Sequence, residues 1–131
     1  MTTSTEVKLS SLSYVIIYVK DAQKALPFYR DTLGIKVKSD DGNWVELETG
    51  STTLALHSNE ELKTISREGQ PVMVFSVEDL HDAFKALQTK GIKFNTEPHV
   101  VCEAGPEQVG MSADFRDADG NLLSIFGMVK K

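Results

Sequence analysis

Several features are scarce in this chain of 131 residues, and each scarcity argues against a class of protein. The one cysteine, Cys102, leaves no internal disulfide, which predicts a reducing, cytoplasmic location. The longest apolar run, residues 14–19, is too short to cross a bilayer, and residues 1–8 lack the apolar stretch of a secretion signal. Basic residues number 14 against 19 acidic ones, which disfavours nucleic-acid and membrane partners.

What is present favours one ordinary globular domain, with 40% hydrophobic and 25% charged residues. A β-branched run at 14–19 predicts a strand, Asp21 has the position of a helix N-cap, and Gly34 closes a helical pattern. Pro27 predicts an irregular first turn, with the regular helix starting near Pro27. Strands are then predicted at 35–39, 43–48 and 52–57.

The same order of signals returns in the second half. A strand is predicted at 72–77, a helix from the N-cap Asp79 to Gly91, and strands at 92–95, 111–116 and 121–127. Matching residues are separated by 58 positions at the first strand, 57 at the helix end and 69 at the last strand. This arrangement indicates two tandem copies of a βαβββ unit.

The predicted fold class is therefore α+β, with the two modules forming a curved mixed sheet around a cup-shaped cavity. The boundaries are a loose arm at 1–12, a first module at 13–57, a linker at 58–70 and a second module at 71–128. The whole chain forms a single domain. Because each module has one helix to cover one sheet face, the other face is expected to form a ligand pocket.

Three short segments carry a family resemblance: Tyr-Val-Lys-Asp at 18–21, Phe-Tyr-Arg-Asp-Thr-Leu-Gly at 28–34 and Phe-Arg-Asp-Ala-Asp-Gly-Asn at 115–121. In order, spacing and duplication the chain resembles the vicinal oxygen chelate superfamily of glyoxalases, bleomycin-resistance proteins and extradiol dioxygenases, over residues 12–128. The resemblance implies paired βαβββ modules, often a homodimer, and a metal at the centre of the cup.

The resemblance also assigns four metal-ligand positions, which in this chain are Tyr14, Ala55, Val72 and Ser124. None is a usual ligand for zinc, nickel, iron or manganese. No cofactor and no metal site are therefore predicted, with a divalent metal at a displaced position left open. A His99–Cys102 pair is at best half of a zinc site.

Strand alternation predicts which side chains line the cup. The candidate ligand-binding residues are Tyr14, Tyr18, Trp44, His57, Arg116, Ser124 and Phe126. The aromatic residues and His57 also have ordinary structural interpretations. Tyr14 and Tyr18 would fill the cup, Trp44 would serve packing or a dimer contact, and His57 would be a surface histidine at a strand end. Glu46, Glu48, Asp114 and Arg116 are expected to form an internal ion-pair network or to bind a polar ligand group. The long 98–110 segment is interpreted as a binding loop or a neutral connector.

Three functions stay open. The first is metal-independent binding of a small, partly aromatic molecule, as in bleomycin-resistance proteins. The second is a glyoxalase-type lyase or dioxygenase with a displaced site, for which His57 and Glu46 are the catalytic candidates. The third is a catalytically silent scaffold. The expected partners are a small-molecule ligand and a second copy of the chain.

Overall fold

The computed structural model describes residues 12–60 and 71–131, so most of the predicted arm and linker lies outside the described residues. The first half contains β1 (Tyr14–Val19), α1 (Ala22–Pro27), a π-helical turn (Phe28–Thr32), β2 (Val37–Asp40), β3 (Trp44–Thr49) and β4 (Thr52–Ser58). The second half contains β5 (Met73–Ser76), α2 (Leu80–Thr89), β6 (His99–Glu103), β7 (Gln108–Arg116) and β8 (Leu122–Lys130).

The strands form two four-stranded sheets with the same connectivity. The first sheet has the order β1-β4-β3-β2, and the second has the order β5-β8-β7-β6. In each sheet the first strand runs parallel to the last strand of its half, and the remaining pairs are antiparallel. The α+β class and the tandem modules are confirmed, and each module contributes one four-stranded mixed sheet.

The core lies on the side of the sheets that faces the helices. Alternation buries Ile17 and Val19 of β1 there, together with Leu54 and Leu56 of β4. The second sheet contributes a matching set of buried residues to the same cluster: Ala113, Phe115, Leu123 and Ile125. The opposite surface of each sheet, which we call the open face, therefore stays available for binding.

Both helices begin at the predicted aspartates. The side chain of Asp21 accepts hydrogen bonds from the backbone N–H groups of Gln23 and Lys24, and that of Asp79 accepts one from Asp82. Both helical segments are followed by a glycine with positive φ, Gly34 at 74° and Gly91 at 101°. Neither helix is long and apolar enough to cross a membrane, within the ranges that the structure describes.

The irregular part of the first helix was expected before Pro27 and instead follows it. Residues 22–27 are α-helical, and the chain then widens into the π-helical turn, where Leu33 N–H donates to the carbonyl of Phe28. The stretch from Asp21 to Gly34 is one residue longer than that from Asp79 to Gly91. A π-turn contains one more residue than an α-turn, so it accommodates this extra residue.

The predicted strand at 92–95 is wrong, and the long segment after it is more regular than expected. Asn95 and Thr96 both donate to the single carbonyl of Asp114, and two bonds to one carbonyl do not form the repeated hydrogen bonding of a β-ladder. The fourth strand of the second sheet is instead β6, which pairs with an extended β7 across the interval interpreted as a loop. Residues 98–110 are therefore largely a β-hairpin.

The two halves meet at a contact that we call the closed seam: the β7–β8 turn, residues 117–121, packed against β1 and α1. The hydroxyl of Tyr29 donates to Asp117 Oδ2 at 2.7 Å, and the backbone N–H of Lys20 donates to Asp119 Oδ1 at 3.1 Å. The amide of Asn121 donates to the carbonyl of Tyr18. These bonds fix the second half against the first.

Candidate functional site

Four rings gather on the open face of the first sheet. They belong to Tyr14 and Tyr18 of β1, Trp44 of β3 and His57 of β4, and we call them the aromatic cluster. The register places Tyr18, His57 and Trp44 side by side across three strands, and Tyr14 lies four residues before Tyr18 on the same face of β1. Every second residue of a strand points to the same face of the sheet. Strand alternation alone therefore predicts that these side chains share one surface.

Two of the three ring contacts are edge to face. The Trp44 ring lies 5.3 Å from that of His57 and 6.0 Å from that of Tyr14, both in T-shaped arrangements. The rings of Tyr18 and His57 are 5.6 Å apart. Beneath them Ala55 is fully buried, whereas Tyr14 and Tyr18 remain 47% and 44% exposed. Aromatic surface is thus concentrated at one place and half of it faces solvent.

Glu46 holds the indole of Trp44 in position. Its carboxylate Oε2 accepts the indole N–H at 2.9 Å, two residues along the same face of β3. The imidazole of His57 contacts two rings and, within the described residues, forms no hydrogen bond with Glu46. The two catalytic candidates therefore lie on one face, but the structure does not join them into an acid–base pair.

A cavity of about 400 Å³ borders the cluster between β1 and the start of the second half. Tyr14, Ile16 and Tyr18 form one wall, and Met73 and Leu122 lie on the other. The volume is within the ordinary range for small-molecule sites. The exposed parts of the two tyrosines are therefore continuous with a space that a small organic molecule could enter.

Ser124 and Phe126 lie on the open face of the second sheet, with no ring contact to the aromatic cluster in the described ranges. The hydroxyl of buried Ser124 donates to the carbonyl of Ala113 at 3.2 Å. Phe126 packs over Gly110, where an added Cβ would lie 2.9 Å from the ring. Both side chains have structural partners of their own in this sheet.

Arg116 lies apart from the other ligand-binding candidates. Its guanidinium donates to the carbonyl of Gly120 at 2.9 Å and borders a cavity with Phe28, Thr32 and Ile92. The expected network of Glu46, Glu48, Asp114 and Arg116 does not form: Glu46 binds Trp44, and Glu48 makes a long surface contact with Lys36 at 3.8 Å. Arg116 ends the twisted strand β7, and its guanidinium lies at the following turn and not on the open face.

The four residues at the family's metal positions do not fit a metal. Ala55 and Val72 have no donor atom, and the Ser124 hydroxyl is already hydrogen-bonded to backbone. Tyr14 supplies a phenol that packs against Trp44. Across residues 12–60 and 71–131, no three His, Cys, Asp or Glu side chains are grouped to hold a metal ion.

Sequence reasoning missed the role of Asp117 and Tyr29 in the closed seam. Asp117 accepts from Tyr29 and also from the backbone N–H groups of Asp119 and Asn121. Burial raises the pKa of the Tyr29 phenol well above its usual range, and the neighbouring Asp117 carboxylate raises it further. The sequence feature that pointed to Asp117 was its place in the turn that carries the third family motif. Only the fold shows that its partner, Tyr29, is 88 residues away in the sequence.

Comparison with known proteins identifies the family. The model of the Glyoxalase/Bleomycin resistance protein/Dioxygenase superfamily matches residues 11–125. The uncharacterized protein YurT of Bacillus subtilis is 33% identical over 123 residues, with 83% of this chain and 92% of YurT covered.

Two solved structures show the shared fold. An integron cassette protein from the mobile metagenome of V. cholerae is 26% identical with a TM-score of 0.70, covering 94% of this chain and 98% of that one. A lactoylglutathione lyase from Agrobacterium tumefaciens is 20% identical with a TM-score of 0.70, covering 92% and 95%. Together with the family match, the paired βαβββ sheets show that this chain belongs to the Glyoxalase/Bleomycin resistance protein/Dioxygenase superfamily.

Proposed function

We propose that this protein binds a small, partly aromatic organic molecule on the aromatic cluster without the help of a metal. The observation that carries the proposal is the grouping of Tyr14, Tyr18, Trp44 and His57 on one half-exposed surface. A flat ligand stacked there would replace solvent on several ring faces at once. No reaction is part of the proposal, because no acid orients the imidazole of His57 within the described residues.

Charge favours a cationic group on that ligand. Glu46 lies inside the cluster, and Glu48 follows it on the same face of β3. The lysine on the neighbouring strand β2, Lys38, donates to the hydroxyl of Thr53 and not to either carboxylate. The chain as a whole carries a net charge of −5. Ring faces and carboxylates both attract cations, so a planar aromatic cation satisfies both features of the surface.

Isothermal titration calorimetry with proflavine, a planar aromatic cation, and with bleomycin tests the proposal. We expect saturable binding with a Kd below about 1 mM, equivalent to roughly −4 kcal/mol. Trp44→Ala should weaken it about tenfold, whereas Trp44→Phe, which keeps a ring, should weaken it only about twofold. Adding EDTA should change neither value. Absence of binding for both probes, or binding abolished by EDTA, would contradict the proposal.

We also propose that a second copy of the chain covers the exposed apolar side chains around this site. Ile16 on β1 and Val74 on β5 are 40% and 57% exposed, and Val72 beside them is also exposed. Ile16 shares a cavity wall with Tyr14 and Tyr18, so a partner seated over these exposed side chains would enclose the bound molecule.

Light scattering during size-exclusion chromatography tests this association. Wild-type protein should elute as a dimer and Val74→Asp as a monomer. Val101→Asp, which puts the same charge on an exposed position of β6, is the matched control and should remain dimeric. A monomeric wild-type protein, or dissociation caused only by the β6 change, would show that the proposed surface is not the interface.

A further inference from the structure

We propose that a cavity on the helix side of the sheets, separate from the aromatic cluster, binds an aliphatic carboxylate. It has a volume of about 1030 Å³ and lies among α2, β5 and the end of the first helical segment. Neither Trp44 nor His57 borders it. Val15 and Met73 also border the smaller cavity beside the cluster, so the experiment below distinguishes the two sites.

The cavity exists because the two halves of the chain are not equivalent. The 58-residue offset that aligns Asp21 with Asp79 places Ala86 and Leu87 where the first half has Phe28 and Tyr29. In the strand pairing, Leu47 opposite Leu54 corresponds to Phe115 opposite Leu123, so Thr49 stands where the second half has Asp117. Leu87 and Thr49 both line the cavity. We call this place the open seam, since it is the counterpart of the closed seam without its aromatic residues.

The floor of the open seam is apolar. Leu54 of the first sheet and Phe115 and Ile125 of the second are almost completely buried there. Partly buried Val15 and Met73 extend the same surface along β1 and β5. Two sheets and one helix thus provide a continuous hydrocarbon lining of a size that accepts a small ligand.

The rim carries the charge that selects the head group. Lys90, at the end of α2, borders the cavity, and its ammonium donates to the backbone carbonyl of Thr32 at 3.2 Å. No carboxylate pairs with Lys90 in the described part of the chain. Lys36 is a second cation on the rim, with Glu48 3.8 Å away. In an acidic protein, a cation above an apolar floor fits an anion with an aliphatic tail.

Calorimetric titration with decanoate, repeated with decanol, tests the proposal. We expect saturable binding of decanoate and weaker binding of decanol. Lys90→Met should weaken decanoate about fivefold, because an exposed ion pair is lost. Lys85→Met, on α2 but outside the cavity lining, is the matched control and should bind as wild type. Ala86→Phe, which restores the ring of the equivalent Phe28, should weaken binding at least tenfold.

Methyl and indole NMR signals keep the result independent of any variant that folds poorly and of the aromatic cluster. With wild-type protein, decanoate should shift the methyl signals of Leu87, which borders only the larger cavity, and leave the indole signal of Trp44 in place. Three outcomes would overturn the proposal: no decanoate binding, equal affinity in the Lys90 and Lys85 variants, or shifts at Trp44 without shifts at Leu87.

Discussion

The closed and open seams occupy equivalent places in the two halves, yet only one is filled. At the closed seam, the ring of Tyr29 is completely buried and its hydroxyl reaches Asp117. At the open seam, the equivalent residues Leu87 and Thr49 border a cavity of about 1030 Å³. The same arrangement of backbone elements therefore holds the two halves together at the closed seam and leaves a cavity at the open seam.

This difference shows that duplication specifies a framework rather than a set of contacts. Strand order, helix caps and the glycine after each helical segment are repeated in both halves. The side chains at two helix positions differ in volume between the halves. That volume determines whether a seam is packed or contains a cavity. Variants at the two seams therefore provide direct tests of the comparison.

The largest effect is expected at the buried acid of the closed seam. Asp117→Ala removes the acceptor for the hydroxyl of Tyr29 and for two backbone N–H groups, so it should lower the free energy of unfolding by about 4 kcal/mol. Urea denaturation followed by circular dichroism measures the change. Asp41→Ala, in an exposed turn, is the control and should stay within about 0.5 kcal/mol of wild type.

A smaller effect, with a pH dependence, is expected at the hydroxyl itself. Tyr29→Phe should cost about 2 kcal/mol at pH 7, because Asp117 loses a buried donor. Since the folded pKa of Tyr29 is raised, the wild-type advantage is complete below the unfolded pKa near 10 and is lost above it. The difference in unfolding free energy should shrink by about 1.4 kcal/mol per pH unit there.

Denaturation of both proteins between pH 8 and pH 11 checks this expectation. Every other residue is the same in both proteins, so its contribution cancels in the difference. A difference that stays constant through pH 11 would show that the phenol of Tyr29 ionises freely in the folded protein.

The smallest effect is expected at the open seam. Leu87→Ala should cost only about 1 kcal/mol, compared with roughly 2–5 kcal/mol for a fully buried leucine, because its side chain is half-buried against an existing cavity. Leu123→Ala, at a completely buried position of β8, provides the reference in the same denaturation assay. Equal losses at the two positions would mean that the cavity is closed in solution.

Local rules made much of the fold predictable. Strands β1 and β4, the two aspartate caps and the exposed face of β1 follow from residue type and alternation, which act over a few residues. The same alternation was enough to bring Tyr14, Tyr18, Trp44 and His57 to one surface, as expected. Whether this surface binds a ligand stays a prediction.

Features that depend on distant partners were not predictable. β6 was interpreted as part of a loop because it lies in a long insertion between Pro98 and Gly110. All five of its residues are exposed, and only pairing with β7 makes it a strand. Arg116 was expected on the cup face, but the turn after β7 offers it the carbonyl of Gly120. The cavity of the open seam arises from side chains in both sheets and α2, which no local pattern connects.

The π-helical turn at Phe28–Thr32 lies in the helical segment that is one residue longer in the first half than in the second. Each residue of an α-helix turns the chain by about 100°, so an inserted residue would rotate everything after it away from its neighbours. Widening one turn absorbs the insertion locally, and Gly34 after it has a positive φ like its counterpart Gly91. A difference of one codon between the two copies of the repeat is thus confined to a single turn, and the sheets on either side keep the same strand order.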